Sequence, residues 1–294
     1  MSFALEAHAK INLTLEVLGE REDGYHEVKS LMQTISLADT LIFEASSGLN
    51  FESNIPSLNS ADNLVIRAAV LLREAAGCHV GASIRLTKRI PVCAGLGSGS
   101  TDAAATLKAL NRLWELDFPL DRLTDLAAKL GSDVSFFLHG GTALAEGRGE
   151  RITPLDTGFT FQAVLLVPAG ESIPGKTSRL YARLNSSHFT SGEFTDRIVR
   201  EADRKEPLDA DALYNVFDHV AFDFFPGLDR YRTVFKQAGA KSIYVAGAGP
   251  TLFTVSPDRS SAEALFQRLH AAGHEAYLVN STGLSMPEQD AIRW

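Results

Sequence analysis

The segment PVCAGLGSGSTDAA, residues 91–104, sets Gly95, Gly97 and Gly99 just ahead of Ser100, Thr101 and Asp102. Behind them Ala103, Leu107, Leu110 and Leu113 recur at helical spacing. Glycine has no Cβ, so the backbone there can take positive φ and bring its amides close to a ligand. A helix start adds unpaired N–H groups and the positive end of a dipole. The pattern predicts a loop that wraps a phosphate and a helix over 101–114 capped by those hydroxyls. A turn that serves packing alone is the other reading of the same residues. It is not a Walker loop, because no lysine follows Gly99 and the nearest downstream is Lys108. A dinucleotide fingerprint fits poorly too: Ser100 stands where the third glycine belongs, and Asp117 does not end a strand.

Four other places carry side chains able to do chemistry. Lys10, in AHAKINLTLEVLG, interrupts an alternating strand pattern, where a lysine is ordinarily a solvated edge residue. Asp133, in KLGSDVSFFLHGG, follows the break at Gly131; its spacing alone favours a helix N-cap over a catalytic carboxylate. Tyr25 and His26 follow a turn at Asp23-Gly24. VAGAGPTLF, residues 245–253, reads as a hairpin with Gly247 and Gly249 at positive φ. The two cysteines, Cys78 and Cys93, form no metal-binding pattern, fit a reducing cytoplasm, and are given no chemistry.

The elements that must position these residues fall into two unlike halves. Strands are expected at 3–9, 11–19, 28–36, 39–46, 49–53 and 82–90, with helices at 63–76, 101–114 and 121–130 and a hairpin turning at Gly147 to Gly149. The second half opens on the strand FQAVLLVP, continues through helices near 175–184, 193–204 and 209–216, and closes as helix 227–238, strands 242–247 and 251–256, helix 259–272 and strand 275–280. This is an α+β protein whose second half suggests a ferredoxin-like α/β sandwich, with a division expected between 1–157 and 158–294. The polar stretch NSSHFTSGE, residues 185–193, is expected to be a mobile excursion. At 294 residues, 45% hydrophobic and 22% charged, the chain is long enough for two cores. A net charge of −8 argues against general affinity for nucleic acid or anionic membrane. The N-terminal MSFALEAHAKINLTLEV reads as strand and not signal peptide, and no apolar run nears the ~18 residues of a membrane span. A cytoplasmic protein is expected.

The order and wording of these motifs resemble the GHMP small-molecule kinases. The match rests on AKINLTLEVLGEREDGYHEVKSLMQTISLADTL at 9–41, DNLVIRAA at 62–69, PVCAGLGSGSTDAA at 91–104, LGSDVSFFLHGGTALAEGRGE at 130–150 and GAGPTLF at 247–253. The first of these, with its Tyr-His pair, resembles the branch of the family that acts on a cytidine diphosphate-linked alcohol.

The resemblance implies a two-domain fold: an N-terminal domain like ribosomal protein S5 domain 2, a C-terminal ferredoxin-like domain, and an active site between them. It implies ATP as co-substrate with Mg2+ carried by the nucleotide and no dedicated metal ligand in the protein, although Ser100 and Thr101 stand close in sequence. Pro91, Gly95, Leu96, Gly97, Ser98, Gly99, Ser100 and Thr101 would wrap the phosphates, and Asn63 and Lys88 would line the adenine pocket. Asp133 would be the base at the acceptor hydroxyl with Lys10 beside it. Asn12 would orient the substrate, Tyr25 would stack on the cytosine, His26 would bond its edge, and Tyr181 would cover its other face. The implied reaction is transfer of the ATP γ-phosphoryl group to the 2-hydroxyl of that alcohol in non-mevalonate isoprenoid precursor synthesis. Cys93 and Ser98 stand where glycines are common in the family, and Ala248 where serine is, so altered nucleotide contacts are expected. A mevalonate or homoserine kinase, or remotely an S5-like RNA-binding module without activity, are the competing readings. Oligomeric state is not legible in the sequence.

Overall fold

The computed structural model describes residues 2–170, 173–256 and 258–283. Its first sheet is built on two long strands, β1 (Ser2–Glu20) and β2 (His26–Ser46), paired antiparallel along nearly their whole length. Beyond β2 lie β4 (Gly81–Thr87) and then β3 (Leu49–Ser53), while β5 (Thr142–Gly147) pairs with β2 and with β6 (Arg151–Leu155). Sequence patterning divided each long strand in two. The cause is visible in the register, which shifts between His8 and Lys10, between Asn12 and Thr14, and between Val17 and Gly19. Such bulges break the period of two without ending the strand, and they re-aim side chains.

Helix α1 (Leu64–Ala76) begins at Asn63, whose side chain accepts from the Val65 amide, and ends on Gly77 in the left-handed region, as its sequence signals require. With α2 (Ser98–Leu113), α3 (Leu120–Leu130) and α4 (Ser132–His139) it covers one face of the sheet over a core that includes Phe43, Phe136, Leu72 and Leu107. Each such buried side chain contributes about 1.5–3 kcal/mol. Helix α4 fills the eight residues between Gly131 and Gly140, too few to give a periodic signal in the sequence.

The second sheet runs β11 (Ala276–Asn280), β7 (Gln162–Leu166), β10 (Leu252–Ser256) and β9 (Tyr244–Val245), every pair antiparallel. It is accompanied by α5 (Lys176–Tyr181), α6 (Glu193–Asp203), α7 (Ala221–Phe224), α8 (Leu228–Gln237) and α9 (Arg259–Ala271). A separate apolar cluster joins the halves, with Ala9, Ile11 and Leu13 of β1 packed among Leu165, Phe253 and Ala246. The loops of interest, through Ala94, Leu96 and Ala246, belong to this joining core.

Two expectations change. The helix expected at 209–216 is replaced by a short strand β8 (Tyr214–Asn215), parallel to β1 at Thr14 and Leu15, and a 3-10 turn at Val216–His219. Asn215 explains the change: it accepts from the Phe217 amide and donates to the Val245 and Gly247 carbonyls, bonds that a helix at this point would forgo. The polar stretch 185–193 is tied down, by a capping box between Asn185 and His188 and by Thr190, whose amide donates to Val17 and whose hydroxyl donates to Glu16.

Candidate active site

Lys10 is no solvated edge residue. It is 3% exposed, enclosed by Gly97 and Gly247, and Asn12, Thr14 and Glu16 after it are buried as well, the last two against Thr195 of α6. A buried ammonium needs partners. Lys10 Nζ donates to Asn12 Oδ1 at 2.8 Å and lies 3.3 Å from Asp133 Oδ2. The chain of bonds continues from Asn12 Nδ2 to Ser30 Oγ at 2.8 Å, and from there to the Thr14 carbonyl at 2.5 Å. Lys10 therefore has little freedom to turn away. Asp133 is not the N-cap of α4, a position held by Gly131, but a first-turn residue, where the helix dipole favours a carboxylate. Its side chain remains 39% exposed, so one flank is open to a reactant.

The glycine loop meets this pair directly. Helix α2 starts at Ser98, three residues earlier than expected, with Gly97 as N-cap at φ 74°. A Cβ on Gly97 would sit 2.5 Å from the Phe137 ring and 3.2 Å from Lys10 Cγ. Gly95, at φ 87°, is as tightly placed: a Cβ would lie 2.0 Å from the Ala246 carbonyl oxygen of the second glycine loop. That loop has Gly247 and Gly249 at positive φ, as expected, and a Cβ on Gly247 would approach Lys10 Nζ to 3.2 Å. Two glycine loops, one from each half, thus close around the end of Lys10.

The early helix start corrects the picture of a hydroxyl-lined loop. Ser98 and Thr101 are buried, and Leu96 is a core residue. Ser98 Oγ points back to the Ile90 carbonyl at 3.4 Å, so what the loop can offer an anion is the amides of the first turn of α2, with Gly99 exposed and Ser100 half-buried. Pro91 is half-buried at the loop's start. Ser98 avoids positive φ, whereas Cys93 stands at φ 57°, a left-handed conformation that a side chain resists.

Lys88 is also corrected. Its side chain is buried and turned inward, donating to Asp39, to Asp102 Oδ2 at 2.7 Å and to the Ser98 carbonyl at 3.2 Å. Asp39 in turn accepts from the Arg89 and Ile90 amides at 2.6 and 2.9 Å. Lys88 therefore anchors the loop from beneath and is not free to line an adenine pocket. Burial pushes the Asp102 carboxyl up to about 8, against the pull of the Lys88 ammonium and with the Asp39 charge adding to the rise. Asn63, the α1 cap, spends its amide on the Leu58 carbonyl and its oxygen on the Val65 amide.

Tyr25 and His26 lie at the far end of the same two strands, in a turn fixed by Asp23, which accepts from the Tyr25 amide. Tyr25 is 56% exposed, with the Arg148 guanidinium 4.9 Å above its ring. His26 stacks on Tyr181, centroids 4.9 Å apart at 28°, and Tyr181 meets Phe217 edge-on at 5.0 Å. The Tyr181 face expected to receive a cytosine is thus covered by the imidazole, each ring burying the other. Burial first and the Asp133 charge second raise the Tyr181 phenol. Arg148, Ser30, Asn215 and Lys176 escaped the sequence reading. None stands in a repeated spacing, and each acts on backbone or ring partners far away in sequence.

Among the described residues no group of three His, Cys, Asp or Glu side chains could hold a metal ion, and no helix is long and apolar enough to cross a membrane. Residues 63–141 match the family model described as GHMP kinases N terminal domain, and residues 199–275 the model described as GHMP kinases C terminal. A protein of Dehalococcoides mccartyi called 4-diphosphocytidyl-2-C-methyl-D-erythritol kinase is 46% identical over 279 residues, covering 95% of this chain and 98% of its own. One of the same name from Symbiobacterium thermophilum is 42% identical over 94% of this chain and 99% of its own. A solved 4-(cytidine 5'-diphospho)-2C-methyl-D-erythritol kinase superposes with a TM-score of 0.80 at 35% identity, over 96% of this chain and 100% of that one. A fold can be shared by unrelated activities, but sequence identity of this size across both halves cannot come from fold alone, and the chain belongs to the GHMP kinase family.

Proposed function

We infer that this protein transfers the γ-phosphoryl group of ATP to the 2-hydroxyl of 4-diphosphocytidyl-2-C-methyl-D-erythritol, a step in isoprenoid precursor synthesis. The observation that carries the reading is the Lys10–Asp133 pair set against Gly97, in a chain 46% identical to a relative of that name. Phosphoryl transfer passes through a loose transition state, so the protein's work is positioning and neutralising charge. The first-turn amides of α2 hold phosphate oxygens. Lys10, fixed by Asn12 and Asp133, supplies a positive charge where the transferred group passes. Asp133 accepts the proton as the acceptor oxygen bonds to phosphorus and the bond to ADP breaks. Mg2+ would come with the nucleotide; Ser100 is the loop hydroxyl left near the phosphates, since Thr101 is turned into the core.

Tyr25 stacks on the cytosine and His26 bonds its edge, with Tyr181 reached once the imidazole moves aside. The half-buried Asn63 borders the adenine site with its backbone, its side chain being engaged. The S5-like RNA-binding reading has the chain's net charge of −8 against it. The experiment is phosphorus NMR of the product formed from ATP and the cytidine-linked alcohol. A new phosphomonoester coupled to C2 supports the reading; a phosphate on another carbon, or none, overturns it.

A further inference from the structure

Lys176, the first residue of α5, bonds both glycine loops at once. Its ammonium donates to the Cys93 carbonyl at 2.7 Å and to the Gly249 carbonyl. Cys93 lies on the loop that leads into α2, and Gly249 on the loop between β9 and β10, so one side chain spans the two halves. The loops already touch here: the Thr251 amide donates to the Ala94 carbonyl at 3.3 Å. An ammonium has three donors, and among the described residues two of them meet carbonyls. Among the described residues no carboxylate lies within 4.0 Å of it. Burial draws Lys176 down to about 8, a pull that Cys93 opposes and the like charge of Lys10 adds to.

The arrangement is unbalanced. Lys10 approaches the joined loops with Asp133 as its counter-charge, while among the described residues Lys176 meets carbonyl dipoles and no carboxylate. Two cations gathered at a cradle of backbone amides suit a ligand carrying several negative charges. We propose that Lys176 is a second phosphate-binding lysine, which draws the 91–97 loop against the 246–250 loop and contributes its third donor and charge to the terminal phosphates of the nucleotide. The proposal rests on the kinase reading above. It also gives α5 a double duty, since the helix that carries Lys176 ends in Tyr181 of the aromatic clamp.

The test separates charge from scaffolding by titrating two ligands that differ only in phosphates: the magnesium complex of a non-hydrolysable ATP analogue, and adenosine. Lys176→Met should weaken the analogue by roughly ten- to a hundredfold, the range of a lost charged hydrogen bond, with adenosine changed less than about twofold. Lys176→Arg should retain most of the affinity for the analogue. Equal losses for both ligands would make Lys176 a loop pin only and overturn the proposal, as would no loss for either. Should Lys176→Met not fold, Lys176→Gln carries the same comparison. Wild-type protein that binds the analogue no better than adenosine would instead defeat the kinase reading itself.

Discussion

Lys10 Nζ and Asp133 Oδ2 stand 3.3 Å apart, one on β1 of the first sheet and the other in the first turn of α4. Gly97 fits between that lysine and Phe137 with no space for a Cβ. Asp133, Lys10 and the glycine loop are therefore one packed unit, and changes to any member should show in turnover before they show in folding.

Asp133→Asn keeps the shape of the side chain and removes its capacity to take a proton. Turnover should fall by roughly 10²-fold or more while affinity for ATP stays near wild type. Steady-state kinetics with separate nucleotide titration reads both. Near-normal turnover in a folded variant would remove Asp133 from the role of base.

Gly97→Val places a branched side chain at φ 74°, within 2.5 Å of the Phe137 ring. The loop must shift, and Lys10 with it. ATP should bind more weakly or turnover should vanish, while the cytidine-linked alcohol still binds, because Tyr25 and His26 lie at the other end of β1 and β2. Calorimetry with each ligand decides; unchanged ATP affinity would mean that the loop holds something else.

Much of this site was legible in the sequence, and the reasons for the rest are specific. The glycine spacing announced the loop, because a backbone that must approach a phosphate or another loop excludes Cβ atoms wherever it does so. Lys10 and Asp133 could be named only through family resemblance. Nothing local distinguishes a buried strand lysine from a solvated one when its cover comes from Gly97, Asp133 and Gly247, all far along the chain. Lys88 was misplaced for a related reason: its partner Asp39 lies 49 residues away, and only the fold reveals that the two close a buried ion pair beneath the loop. The short strand β8 was read as helix because its Asn215 serves the distant carbonyls of Val245 and Gly247.

The aromatic clamp gives a third prediction. Stacking a base on an aromatic ring is worth about 1–3 kcal/mol by alanine substitution. Tyr25→Ala should weaken the cytidine substrate by roughly ten- to a hundredfold and leave ATP nearly untouched. His26→Ala should lower discrimination between cytidine- and uridine-linked alcohols, whose bases differ at the edge it addresses. Because His26 covers Tyr181 at 4.9 Å, Tyr181→Phe should be tolerated and Tyr181→Ala should cost affinity. Wild-type binding by both Tyr25→Ala and His26→Ala would disprove the clamp.

The buried cluster beneath the loop predicts a pH dependence of stability. The folded-state value of Asp102 is raised to about 8 from an ordinary 3.8, so between those values the folded protein holds a proton that the unfolded chain has released. Stability from this group is complete below about pH 4 and declines as pH rises toward 8, by at most about 1.4 kcal/mol per pH unit. Asp102→Asn mimics the protonated form and can still accept from Lys88. Urea unfolding at pH 5 and pH 8.5 should show the variant close to wild type at the lower value and more stable at the higher. A variant equally destabilised at both would contradict the assignment.

This chain is expected to phosphorylate the cytidine-linked methylerythritol and not another alcohol of its family. The most direct measurement is kcat/KM by coupled ADP release, run side by side on 4-diphosphocytidyl-2-C-methyl-D-erythritol, its uridine counterpart, mevalonate and homoserine. The cytidine compound should be turned over, the uridine compound should lose roughly tenfold or more, and the last two should give no measurable release. Comparable kcat/KM on mevalonate or homoserine, or no turnover of the cytidine compound, would contradict it.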